Sequence, residues 1–210
     1  GGPTYPPFRR LIPRAGRVLR ENPMIRGADG RFRLDLDRLA SDLAAPEVTA
    51  YLLVNPHNPA GTVPTRSELT AVATLCEEHG VRLLSDEIHA PLVFPGSQFV
   101  PVLSLPEAER AIAFVSASKA WNLAGLKGAL VVAGPRATAD LHKIPADAEI
   151  AAGLLGVLAS EAAFRAGGPW LDALMAGLDH NRTLLESLLA KHLPGVGYAI
   201  PEATFLAWLD

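Results

Sequence analysis

The sequence predicts an α/β fold: a mostly parallel sheet with flanking helices, followed by part of a smaller α+β unit. Three observations carry that expectation. Short apolar runs alternate with helical stretches, polar residues follow each apolar run closely, and composition shifts after about residue 140.

Tyr51-Leu52-Leu53-Val54 is a short apolar run that ends at a Pro/Asn/Gly cluster, which reads as a buried strand. Thr65-Arg66-Ser67-Glu68 is a capping box, in which Thr65 caps a helix and Glu68 reaches back. The helix that follows sets Leu69, Val72, Ala73 and Cys76 on one face, and Gly80 closes it. Val81 to Leu84 gives a second strand running up to Asp86, and Ala111 to Val115 a third, ending at Ser116. Ala129 to Ala133 is a fourth. A strand, a helix and a strand within about 30 residues form a βαβ unit, which builds parallel sheets. In such sheets ligands lie beyond the carboxyl ends of the strands. That rule selects Asn55 to Gly61, Asp86 to His89 and Ser116 to Lys119, and brings three loops to one crevice.

Beyond residue 140 the pattern changes. Ala151 to Ala166 is Ala/Leu/Gly-rich and helical, and Gly167-Gly168-Pro169 breaks it. Leu171, Leu174, Leu178, Leu185, Leu188 and Leu189 then form a stripe on a long helix from Trp170 to His192. Pro194-Gly195 stops that helix, and Tyr198 to Ile200 starts a strand. Phe205 to Asp210 is an apolar run with no ending of its own, so it is expected to be a strand cut at the last residue of a fragment.

Composition narrows the function. The chain has 210 residues with 19 Lys plus Arg against 22 Asp plus Glu, a formal charge of −3. A sequence pI near 6.1 argues against a nucleic-acid surface, for which domain values usually exceed about 9. The 49% hydrophobic and 20% charged fractions are those of a globular chain able to bury a core. Cys76 is the only cysteine, so neither an intramolecular disulfide nor a thiolate cluster is available. The most membrane-like stretch, Ile150 to Ser160, is far shorter than the roughly 20 apolar residues of a bilayer span. The start lacks the basic and apolar regions of a signal peptide, and the expectation is a cytoplasmic protein that contacts neither membrane nor nucleic acid.

The candidate chemistry sits in the three loops. Lys119, just after a buried strand and beside Ser116 and Ser118, suits a Schiff-base nucleophile or an anion ligand; alone, a Ser-x-Ser-Lys is more often a solvated loop. Asp86 at the end of an apolar strand needs a cation or several donors, either a positively charged ring nitrogen or an ordinary loop partner. Asn55-Pro56-His57-Asn58-Pro59-Ala60-Gly61 is dense in turn formers, and Asn58 could present its amide to a phenolate. His89 alone is uninformative. Cys76 reads as a helix core residue.

Taken in order, these segments resemble the aminotransferase class I/II family of pyridoxal-phosphate (PLP) enzymes, fold type I. The resemblance runs from Tyr5 through Asp210. Asn58-Pro59-Ala60-Gly61 is similar to the family's Asn-Pro-x-Gly, and Ser85-Asp86-Glu87-Ile88-His89 to its Asp-Glu-x-aromatic segment. Ser116 to Lys127 is similar to its Ser-x-Ser-Lys followed by a basic residue eight positions later. The resemblance implies that Lys119 links covalently to PLP and later moves protons at the substrate Cα. It implies that Asp86 pairs with the pyridine nitrogen, that Asn58 donates to the phenolic oxygen, and that His89 stands where many relatives use tyrosine for that job. It further implies that Ser116, Ser118 and Lys127 bind the phosphate and that Tyr5 stacks on the ring. Lys127 replaces the arginine of many aminotransferases, and a lysine binds phosphate as a point charge without a bidentate fork. The implied units are a large PLP-binding domain over 1–145, incomplete at its start, and a small domain over 146–210, incomplete at its end.

Within the family, His89, the full Asn55-Pro56-His57-Asn58 and Lys119 through Lys127 are most similar to the C–S β-lyase (cystathionine β-lyase) subgroup, as are Tyr5-Pro6-Pro7-Phe8 and Phe205 to Asp210. Pro91 departs from that subgroup, many members of which carry an acidic residue there. The implied reaction is β-elimination from an amino acid of the cysteine-S-conjugate or cystathionine type, giving thiol, pyruvate and ammonia. Transamination shares the early chemistry and is the alternative. A third reading follows from the family's greater length: a truncated, inactive fragment or a binding scaffold that keeps the lysine loop. In that family the part before this chain brings a helix N-terminus to the phosphate, the part after it an arginine for the substrate carboxylate, and the full-length protein is a homodimer.

Overall fold

The computed structural model describes residues 3–210, so the first two residues of the expected large unit lie outside it. The chain opens with α1 (Phe8–Arg14), an antiparallel pair of β1 (Ile25–Arg26) and β2 (Phe32–Arg33), and α2 (Leu36–Leu43). Then come β3 (Ala50–Val54), α3 (Arg66–Glu78), β4 (Arg82–Asp86), β5 (Ile112–Val115) and β6 (Leu130–Ala133). Four helices follow: α4 (Thr138–Leu141), α5 (Ala146–Ile150), α6 (Leu154–Ala166) and α7 (Gly168–His192).

The sheet has the order β3-β4-β5-β6. β3, β4 and β5 are parallel, and β6 runs antiparallel to β5. The reversal has a simple cause. A parallel neighbour needs a crossover, usually a helix, whereas β5 and β6 are joined by a loop whose regular structure is one 3-10 turn, Ala124–Leu126. Register positions the site: Val54 pairs with Asp86, and Asp86 with Phe114, so β3, β4 and β5 finish level at one edge.

The α3 helix forms as its sequence dictates. Thr65 accepts from the Glu68 backbone N–H at 3.2 Å, and the Glu68 carboxylate accepts from the Thr65 N–H at 2.7 Å. Its apolar face buries Leu69, Val72, Ala73 and Cys76 against Leu53 and Leu83 of the sheet, Leu39 and Leu43 of α2, and Val102, Leu105 and Ala108. Burial pushes the Cys76 thiol up to about 12, so it is an inert core residue. The α2 helix had a readable signal: Asp35 caps it by accepting from the Arg38 N–H at 3.0 Å, and Leu36, Leu39 and Leu43 repeat at helical spacing.

The carboxyl-terminal segment corrects two expectations. Tyr198 to Ile200 and Phe205 to Asp210 form no strands; they share a single antiparallel bridge, Tyr198 with Leu209. The intervening residues fold back onto the sheet end instead, with the Ala203 N–H donating to Gly61 O and the Thr204 N–H to Leu92 O. Thr204 takes φ 72°, a left-handed conformation costly for a β-branched residue, and that turn prevents an extended run. The predicted helix over 151–166 begins at Leu154, and the long helix begins two residues earlier than expected. Among the described residues no helix is long and apolar enough to cross a membrane.

Candidate active site

Each segment after β3, β4 and β5 contributes a polar group to the common edge. Asn55 continues β3, its N–H donating to the Asp86 carbonyl at 2.9 Å, and the chain turns sharply to Gly61. Gly61 is required there. Its φ is 68°, and a Cβ would lie 2.9 Å from the Ala203 carbonyl oxygen and closer still to Pro201. The turn leaves Asn58 half-buried with its amide nitrogen 3.4 Å from His89 Nε2.

Strand alternation sends Asp86 and Glu87 to opposite faces. Glu87 is almost fully buried on the α3 side, where its carboxylate accepts from Ser85 Oγ at 2.9 Å and from the Val102 N–H at 2.8 Å. Asn55 joins that buried group by donating to Val100 O at 3.1 Å. Burial raises the Glu87 pKa, opposed by those hydrogen bonds. The motifs assign no role to this polar knot of Glu87, Ser85 and Asn55. Its signal was present, because an Asp-Glu pair closing a strand must put one carboxylate toward the helices.

Asp86 faces the crevice edge. Burial raises its pKa, while the Ile88 N–H, 3.3 Å from one carboxylate oxygen, and the Lys119 ammonium pull it back down. His89 is 2% exposed, and burial followed by the Lys119 charge lowers its pKa to about 4, so it is neutral at pH 7. Lys119, half-buried, therefore acts electrostatically on both Asp86 and His89, and His89 touches Asn58. Four of the expected residues come together: Lys119, Asp86, His89 and Asn58. His89 Nδ1 is buried without a partner, as are His57 Nδ1 and Asn55 Oδ1. Phe205 lies against His89 with ring centroids 5.6 Å apart, a neighbour the sequence reading did not foresee. The same Phe205 lines a cleft of about 110 Å³ between α7 and residues 198–207, with Phe94, Leu178, Arg182 and Tyr198.

The lysine loop is tightly organised. Ser116 Oγ donates to Gly128 O at 2.6 Å and accepts from the Ser118 N–H at 3.0 Å, so its single proton is spent inside the loop. Ser118 is half-buried. Lys127 is exposed and caps the 3-10 turn at φ 54°. Tyr5 precedes α1, 36% exposed and edge-on to Phe8 at 5.4 Å.

Known proteins similar to this chain identify its family. The family described as "Aminotransferase class I and II" matches residues 1–210. A Mycobacterium tuberculosis protein named "Putative cystathionine beta-lyase" is 51% identical over 99% of this chain and 52% of its own length. Cystathionine beta-lyase PatB of Bacillus subtilis is 36% identical over 99% of this chain and 54% of its own. The crystal structure of the PLP-bound C-S lyase from Staphylococcus hominis superimposes with a TM-score of 0.90 at 31% identity, covering 99% of this chain and 54% of that one. The chain thus spans about half the length of the curated relatives it matches. With the match extending over every residue, the chain belongs to the aminotransferase class I and II family.

Proposed function

We propose that this chain carries the PLP-holding centre of a C–S β-lyase, which releases thiol, pyruvate and ammonia from cysteine-S-conjugate or cystathionine-like amino acids. The observation that carries the reading is the convergence of Lys119, Asp86, His89 and Asn58 at the level ends of three parallel strands. The donor set fits PLP: a carboxylate for a ring nitrogen, an amide for a phenolic oxygen, an amine for an aldehyde, and a hydroxyl with an ammonium for a phosphate.

PLP, when bound, supplies the electron sink for the pair left behind as the substrate Cα proton departs. The remaining work falls to the chain. Lys119 would hold the cofactor covalently, and its amine, when free, would be the base that takes the substrate Cα proton. Asp86 keeps a proton on the pyridine nitrogen by offering it a negative charge in a partly desolvated place. Asn58 donates from its amide, and neutral His89 borders it. Ser118 and Lys127 hold the phosphate, while Ser116 closes the loop on which they stand. Tyr5, exposed before α1, offers its ring as the stacking partner. The reading extends to a homodimer, to a cytoplasmic setting, and to a large unit over 1–145 with a small unit over 146–210.

The test is product identity. Purified chain is incubated with PLP and L-cystathionine without a keto acid, and pyruvate is measured over time. Pyruvate release supports the lyase. Turnover that appears only on adding a keto acid acceptor overturns it in favour of transamination, which the family description equally allows.

A further inference from the structure

The loop carrying Lys119 and Lys127 is mounted on α6, which lies beyond the sheet in sequence. At one end Trp121 Nε1 donates to Gly167 O at 2.9 Å, and its ring meets Phe164 edge-on at 5.3 Å. At the other end two glycines make a close backbone approach. A Cβ on Gly156 of α6 would collide with the Leu126 carbonyl oxygen and lie 3.4 Å from Gly128 N. A Cβ on Gly128 would lie 2.9 Å from both Gly156 O and Ser160 Oγ. Lys127 stands between these contacts, its backbone left-handed at φ 54°. The Gly128 carbonyl is tied in turn to Ser116, at the end of β5, by the 2.6 Å hydrogen bond. The Lys127 turn is therefore gripped from α6 on one side and from the sheet on the other.

We infer that Gly156 is a positioning residue for the phosphate side of the site. Its missing side chain sets the height of the Lys127 turn, and that height brings the Lys127 ammonium and the Ser118 hydroxyl to one phosphate. The inference rests on the PLP reading above and adds to it a residue from a separate helix.

The test compares PLP with pyridoxal, which offers the same aldehyde and ring but no phosphate. Wild type, Gly156→Ala and Gly177→Ala are titrated with PLP by absorbance. Their Lys119 labelling by pyridoxal with borohydride is mapped by mass spectrometry. Gly177 lies in α7 with nothing within 4 Å of its Cβ position. Alanine is the better helix former at both positions, so neither change weakens its helix intrinsically. The expected result is that Gly156→Ala weakens PLP binding about tenfold, as for one misaligned charge-assisted contact. Pyridoxal labelling of Lys119 stays at the wild-type level, and Gly177→Ala changes neither. In a Lys127→Ala background, Gly156→Ala has little further effect on PLP. Equal losses for PLP and pyridoxal, an unchanged PLP affinity, or additive losses in the double variant overturn the inference alone. A wild-type chain that captures no PLP on Lys119 overturns the PLP reading, and the inference with it.

Discussion

Two regions of the molecule divide its work. Residues 36–115 form one apolar cluster, in which Leu69, Val72 and Val102 are wholly buried and α2 and α3 close the sheet. Residues 116–166 are built otherwise. Leu130, Val131 and Val132 of β6 are 53%, 38% and 42% exposed, Leu154 and Leu155 of α6 each 70%, and the lysine loop is held by glycine contacts and a few hydrogen bonds. The first region supplies stability and a level strand edge. The second carries Lys119, Ser118 and Lys127, the residues proposed to hold the cofactor, on a scaffold with little burial of its own. Changes in the first are thus expected to move stability, and changes in the second to move cofactor binding.

The sharpest separation comes from Leu69 and Lys127. Leu69→Ala should destabilise the chain by about 2–5 kcal/mol, the usual range for a buried leucine, while PLP affinity of the folded protein stays at the wild-type value. Lys127→Ala should do the reverse. Denaturant unfolding should shift by less than about 0.5 kcal/mol, as for other exposed residues, and PLP affinity should fall about tenfold. Loss of PLP binding in folded Leu69→Ala, or of stability in Lys127→Ala, would break the division.

Within the first region, pH is the probe. Burial lowers His57 from an ordinary 6.5 to about 4. Between those values the unfolded chain binds a proton that the folded chain does not, so stability is full above pH 6.5 and is lost as pH falls toward 4. A depression of that size is worth on the order of 3 kcal/mol at about 1.4 kcal/mol per pH unit. Glu87 acts in the opposite sense, because its raised pKa favours the folded state as pH falls. Unfolding measured at pH 7 and 4.5 should show a smaller acid loss in His57→Asn than in wild type. An equal loss in both would contradict the burial account.

Smaller effects test the elements themselves. Glu87→Ala leaves the Ser85 hydroxyl and the Val102 N–H without their acceptor and should cost about 2 kcal/mol, whereas Glu87→Gln, which keeps an acceptor oxygen, should cost less. Thr65→Ala removes one half of the capping box and should cost about 1 kcal/mol by thermal or denaturant unfolding.

Local rules made much of this legible. The capping box, the Leu69/Val72/Ala73/Cys76 face and the strands ending at Asp86 and Ser116 follow from residue spacing alone, and the rule on strand ends places Asn58, Asp86, His89 and Lys119 at one edge. What stayed hidden depends on contacts distant in sequence. The left-handed turn at Thr204 that lays Phe205 on His89 has no local signature, since threonine disfavours that conformation. Ser116 reads as a phosphate ligand by pattern, yet its proton goes to Gly128, twelve residues on. The antiparallel β6 was readable in principle from the absence of a helix between residues 116 and 129.

The central claim is that Lys119 is the amine that captures PLP. The most direct measurement is incubation of the purified chain and of Lys119→Ala with PLP, reduction with borohydride, and peptide mapping by mass spectrometry. The account predicts a pyridoxyl group on Lys119 in the wild type and none on that peptide in the variant. Labels scattered over other lysines, with the same pattern in both proteins, would contradict it.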